Sequence, residues 1–270
     1  MFSYPVEIAG VRSRVLQSGL SGPAVILLHG LSARADRWAR NLDGLAAAGF
    51  RVFAVDLPGH GHAQKGAGFD YSGPGYSRWL RAFLDSLGGE PAHIVGTSFG
   101  GLVASAFAAD HPEMTRSLTC VGSIGLLPMG EARRQRTIDW LPQMSREEIR
   151  RRLTLSVVDT SLVTDEWVEE DHRINTSPGA REAFAALADY YRTTIDEDAT
   201  VGRLAAMEGR FPIQLLWGEK DISVATDIGV EAHARLPGSR FSFIDGAAHL
   251  PYFERTERFN ALLLDVITSN

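Results

Sequence analysis

Cysteine occurs once in the 270 residues, as Cys120, so no disulfide can close within the chain. It lies in the apolar run Leu118-Thr119-Cys120-Val121, which reads as an interior strand carrying a buried, inert thiol. Such usage is compatible with a reducing compartment. No apolar stretch approaches the roughly 20 residues that span a bilayer. The opening segment MFSYPVEIAGVRSR has neither the charged start nor the long apolar run of a secretory signal. The expectation is a cytoplasmic protein without a membrane partner. Long basic blocks are missing too. Net charge is −6, and the groups Arg133-Arg134-Arg136 and Arg150-Arg151-Arg152 sit among glutamates as solvated helix faces, so no nucleic-acid partner is expected. No HExxH or clustered histidine–carboxylate spacing is found, hence no metal site is expected. Repeats and low-complexity tracts are absent.

What remains is ordinary globular composition, 44% hydrophobic, 22% charged and 9% aromatic. The length suits one α/β core with an insertion. Two alternating segments, Pro5 to Ile8 and Arg12 to Leu16 around Ala9-Gly10, predict a β-hairpin. Six short apolar runs then stop at glycine or just beyond it: Pro23 to Gly30, Phe50 to Gly61, Ala92 to Gly96, Ser117 to Ser123, Ile213 to Gly218 and Arg240 to Gly246. Runs of this kind read as strands covered on both faces. Helix-period segments follow them at Arg37 to Ala48, Tyr76 to Leu87, Gly100 to Ala109, Asp227 to Arg235 and Thr256 to Ile267. Strand and helix in alternation imply a mostly parallel sheet, with ligands bound beyond the carboxyl ends of its strands. The alternation breaks over 126–209, a polar stretch with helical patterns at Ser145 to Leu155, Thr164 to Ile174 and Pro178 to Thr193. The chain therefore divides into a core, 1–125 with 210–270, and a helical cap, 126–209.

The strand-end positions hold the candidate chemistry. Gly96-Thr97-Ser98-Phe99-Gly100 joins an apolar run to a small-residue helix, the context of a sharp turn that presents a serine at a helix N-terminus. Ser98 is the candidate nucleophile, and a serine hydroxyl needs a base. Of eight histidines, His29, His60 and His62 lie in turns, His93 starts a strand, His111 ends a helix, and His233 is on a charged helix face. His172 belongs to the insertion, where it could line a pocket among acidic neighbours. His249, in FIDGAAHLPYFE after a late strand, is the candidate base. Asp221, after IQLLWG, is the acid that would orient it, with Glu219, Asp245 and Asp139 as rivals. The amides of Leu31 and Phe99 are the candidate oxyanion donors by position alone.

These motifs resemble the α/β-hydrolase superfamily: HG after the first buried strand, DLPGHG after the next, GTSFGG at the turn, then WGEKD and GAAHLPYFE. The resemblance implies an α/β-hydrolase fold, with a central mostly parallel sheet, flanking helices and a helical lid, and catalysis without a cofactor. The stretch DTSLVTDEWVEEDHRINTSPGAREAF further resembles the lid of the meta-cleavage-product hydrolases, which cut carbon–carbon bonds. Three positions depart from that branch: Thr97 stands where those enzymes usually carry Asn, Leu250 where they carry Trp, and Asp171 where they carry a lid arginine, with Arg173 close by. An anionic substrate would lose a charge-assisted pair at Asp171. The expectation is thus a serine hydrolase of small carboxylic esters or lactones, with carbon–carbon hydrolysis as the alternative. A binding protein, a cofactor-free lyase or a perhydrolase on the same scaffold are rivals. Trp140, Trp167 and Leu250 are the candidate substrate contacts. Glu169-Glu170-Asp171 reads as a solvated helix face. The expected partner is a small-molecule substrate, and a homodimer is compatible with the sequence.

Overall fold

The computed structural model describes residues 1–207 and 209–269; positions 208 and 270, counted above within the cap and core ranges, lie outside them. Strands β1 (Phe2–Ile8) and β2 (Val11–Ser18) form the expected antiparallel hairpin in the register Ile8↔Val11. Ala9 and Gly10 both take positive φ, 48° and 76°, as a two-residue turn matching the strand twist requires. Pro5 is tolerated because β1 is the sheet's edge. The buried runs become β3 (Ala24–Leu28), β4 (Arg51–Val55), β5 (Ala92–Thr97), β6 (Thr115–Val121), β7 (Ile213–Gly218) and β8 (Arg240–Ile244). All eight strands make one sheet in the order β1-β2-β4-β3-β5-β6-β7-β8, parallel from β4 to β8.

The order explains where a site can sit. From β3 the chain first builds outward to β4, then returns to place β5 on the other side of β3. The loops leaving β3 and β5 consequently diverge and open a crevice at that switch point. Helices α1 (Ala39–Ala47), α2 (Gly73–Ser86) and α3 (Phe99–Asp110) make the first crossovers. A tight 3₁₀ turn, Ala35–Trp38, precedes α1, so the regular helix starts two residues later than its apolar period suggests. Conversely, α2 starts three residues early. Ser72 caps it by accepting from the Gly75 amide at 3.1 Å, and Gly-Pro-Gly forms its first turn.

The insertion supplies α4 (Glu131–Trp140), α5 (Arg146–Leu155), α6 (Asp165–Asn175), α7 (Ala180–Thr193) and α8 (Val201–Ala205). α4 has no buried residue, hence no apolar stripe by which to foresee it. The excursion closes on itself: the Thr200 and Val201 amides donate to the Gly125 and Leu126 carbonyls at 2.9 and 3.0 Å. The chain ends through α9 (Thr226–Arg235), α10 (Pro251–Glu254) and α11 (Thr256–Ile267).

Alternate strand residues feed two cores. Ile26, Leu28 and Ile94 pack with α2, α3 and α7, whereas Val25, Leu27 and Val95 pack with α1, α11 and the Trp167 region of α6. Cys120 is buried as expected, and burial pushes its thiol up to about 12. Among the described residues no helix is long and apolar enough to cross a membrane.

Candidate active site

Ser98 stands between β5 and α3, capping the helix with φ 53° and ψ −118°, a conformation that costs a non-glycine residue about 1–3 kcal/mol. Close packing enforces it. A Cβ on Gly96 would overlap the Gly100 carbonyl, and one on Gly100 would overlap the Leu28 and His29 carbonyls. The Ser98 amide donates to Val121 at 2.9 Å, and its carbonyl accepts from Gly101 at 2.9 Å and Ile124 at 3.3 Å. The side chain is left half-buried at the head of a 12-residue helix whose dipole favours negative charge there.

Asp221 follows β7, and His249 lies on the loop between β8 and α10. Asp221 Oδ2 is 2.8 Å from His249 Nδ1, while Oδ1 accepts the Ser223 and Val224 amides at 2.9 and 3.0 Å. The carboxylate is therefore aimed before the imidazole arrives. Burial pushes the His249 pKa down, but the charge and hydrogen bond of Asp221 outweigh it and leave the pKa above the ordinary histidine value. Gly122 makes room for the pair: with φ 46°, a Cβ there would stand 2.8 Å from Asp221 Oδ2 and 3.2 Å from His249 Nδ1. Its neighbour Val121 accepts the Ser98 amide, so the end of β6 touches the backbone of Ser98 on one side and the Asp221–His249 pair on the other. Gly122 is a part of the candidate site that the sequence did not single out. Its only signal was a glycine directly after an apolar strand.

The loop after β3 brings Gly30, the residue before Leu31, beside the serine, since a Cβ there would stand 3.3 Å from Ser98 Cβ. His29 has the structural role its turn suggested. Its Nε2 accepts the Leu57 amide at 3.0 Å, which leaves Nδ1–H to donate to the Gly30 carbonyl at 2.8 Å. Carbonyl and amide of one trans peptide point in opposite directions, so gripping Gly30 O turns the Leu31 N–H away from His29. Neither the Leu31 nor the Phe99 amide has an acceptor among the described residues.

The comparisons agree with this architecture. Residues 23–256 match the family described as alpha/beta hydrolase fold. The chain belongs to the α/β-hydrolase family. One relative is the dihydrolipoyllysine-residue acetyltransferase component of the acetoin cleaving system of Cupriavidus necator, 30% identical over 95% of this chain and 67% of the relative. Another is a 2-hydroxy-6-oxononadienedioate/2-hydroxy-6-oxononatrienedioate hydrolase of Paraburkholderia phymatum, 29% identical over 93% of this chain and 88% of the relative. The meta-cleavage product hydrolase CumD from Pseudomonas fluorescens IP01 superposes with a TM-score of 0.86 at 25% identity, covering 98% of this chain and 97% of that one. The protein is a hydrolase of this family.

In this α/β-hydrolase the helical insertion between β6 and β7 is tied to the core by buried charge. Asp171 is 4% exposed rather than part of a solvated face, which corrects the reading of Glu169-Glu170-Asp171. Its two carboxylate oxygens take Arg34 and Arg37 from the loop after β3, and Trp167 Nε1 adds a bond at 3.2 Å. Arg34 also reaches Glu170, and only Glu169 is spent on cap arginines, Arg146 and Arg173. Trp167 is buried in this joint with the Arg37 guanidinium 4.1 Å over its ring. Trp140 is half-buried under Arg152, at 4.2 Å. The Leu250 amide donates to Ser156 at 3.2 Å, anchoring the residue after His249 to the cap. His172 Nδ1 donates to the Met144 carbonyl at 2.7 Å, a bond within the cap. A surface cleft of about 460 Å³, lined by Arg173 but by none of Ser98, Asp221 and His249, lies between the His62–Lys65 turn and the end of α6.

Proposed function

We propose that this hydrolase cleaves small carboxylic esters or lactones by acyl transfer through Ser98, His249 and Asp221. The observation that supports the reading is the 2.8 Å Asp221–His249 pair beside Gly122, next to Val121, whose carbonyl accepts the amide of a strained Ser98. His249 takes the hydroxyl proton as Oγ attacks the carbonyl carbon, and the Leu31 and Phe99 amides receive the oxyanion. His249 then hands the proton to the leaving alkoxide. Water attacks the acyl-enzyme by the same route, and Asp221 stabilises the imidazolium in both halves. Trp140 and Leu250 are the proposed apolar contacts to the substrate, with Trp167 acting through its hold on the cap.

Charge favours an uncharged substrate. The two arginines nearest the loop after β3 are already paired with Asp171, so neither is free for a carboxylate. Carbon–carbon hydrolysis is the second reading, favoured by relatives named for dienedioate and phenylhexadienoate hydrolysis. Short p-nitrophenyl esters, lactones and one dienoic keto acid assayed side by side separate the two. A fluorophosphonate should label the protein stoichiometrically, and Ser98→Ala should abolish labelling and lower ester turnover by at least about 10³-fold. A Ser98→Ala enzyme of full activity excludes the mechanism. Labelling of the parent without turnover would favour a binding role.

A further inference from the structure

The loop 30–38, which carries the Leu31 amide, is held from two sides. From the core, His29 grips Gly30 O, and Asp56 Oδ1 accepts the Ala35 amide at 2.8 Å. From the cap, one face of α6 does the rest. Asn175 Nδ2 donates to the Ser32 carbonyl at 3.0 Å, Asp171 pairs with Arg34 and Arg37, and Glu170 pairs with Arg34. Trp167, Asp171 and Asn175 are spaced four apart, so they form a single stripe along the helix. The loop needs such support at one point in particular. Ser32 has φ 55°, one of three non-glycine residues with positive φ among those described, and it directly follows Leu31. Strain of that kind persists only where neighbours over-determine the backbone. Asn175 is buried, and its Oδ1 has no partner, so the amide is committed to the Ser32 carbonyl alone.

We infer that Asn175 and Asp171 are positioning residues for the oxyanion loop, so that seating of the cap helix α6 sets the Leu31 amide for catalysis. This rests on the acyl-transfer reading above. It differs from a purely structural cap–core joint in what it moves. A loosened Leu31 amide weakens the hold on the oxyanion and leaves the ground-state complex nearly untouched.

The test compares Asn175→Ala with Ser98→Ala in the full chain, using p-nitrophenyl acetate and rates normalised to fluorophosphonate-titrated sites. Normalisation removes any misfolded fraction. Asn175→Ala should lower kcat about tenfold with KM moving less than about threefold, since one oxyanion donor is impaired rather than lost. A trifluoromethyl ketone adds Ser98 Oγ at its carbonyl carbon, with the proton passing to His249 and the oxygen becoming the anion. Its inhibition should weaken by the same factor, while the plain methyl ketone, which stays a ground-state ligand, should change less than about twofold. An unaltered kcat, or equal weakening of both ketones, overturns the coupling. If Asn175→Ala does not fold, Glu170→Gln at a half-exposed side chain carries the test, with a fall in kcat of about twofold expected and no change overturning it. An inactive Ser98→Ala beside an unaltered Asn175→Ala removes the coupling alone, whereas an active Ser98→Ala removes the acyl-transfer reading and the coupling with it.

Discussion

His249 is held between two opposed effects. Burial disfavours its imidazolium, and Asp221 favours it more, so the pKa ends above the ordinary value. A general base works only when neutral, which fixes the sign of the pH dependence. Activity falls as pH drops through that raised pKa, so the acid limb of kcat/KM should lie above about 6.5. Asp221→Asn removes the charge while keeping the shape. It should move the limb to lower pH and reduce kcat by about 10⁴-fold; a limb that stays in place would mean another group controls it. In the candidate site, the strand-end positions of Ser98, Asp221 and His249 were legible in the sequence because each stands just beyond an apolar run, where a parallel sheet delivers its side chains. Gly122 and Asn175 were not. One acts through the atom it lacks, the other through a backbone carbonyl 143 positions away along the chain.

At the scale of elements, α6 joins the helical insertion to the core by charges that periodicity could not assign. Its sequence, DEWVEEDHRIN, places five acids on a short helix, which by itself suggests a solvated face. Only the fold brings Arg34 and Arg37 over Asp171. Burial pushes the Arg37 pKa down, and Asp171 is the main influence against that shift. Asp171→Ala would leave two nearly buried guanidiniums short of an anion, so a loss of about 3–5 kcal/mol in unfolding free energy is expected by urea denaturation. Glu169→Ala, which breaks only exposed pairs with Arg146 and Arg173, should leave the urea midpoint unchanged. Equal effects of the two substitutions would count against the buried joint. The strand elements were easier to read, because β3 to β7 are apolar on both faces and each ends in or just before a turn.

For the whole molecule, stability should depend on pH through histidines that the chemistry does not use. Burial lowers the pKa of His29, pushes His60 down to about 3, and pushes His93 down to about 4. His60 and His93 also have a buried Nε2 with no partner, as a neutral ring in an apolar setting would. Each folded pKa is depressed below the unfolded value of about 6.5. The unfolded chain therefore takes up protons first as pH falls, and the folded state loses about 1.4 kcal/mol per pH unit for each such ring until its folded pKa is reached. His249 has the opposite sign: its contribution is present below the unfolded pKa and lost as pH rises through its folded one. Between about pH 6 and pH 4 His249 is charged in both states and adds no slope, so urea stability should drop there through the buried rings, before most carboxylates protonate. His93→Phe isolates one term. Its ring packs edge-on against Phe50 at 5.7 Å, far from Ser98 on the opposite end of β5. The variant should flatten the slope by about 1.4 kcal/mol per unit over pH 6.5 to 4 and leave kcat at pH 8 unaltered. A slope equal to the parent's would mean that His93 is protonated in the folded chain.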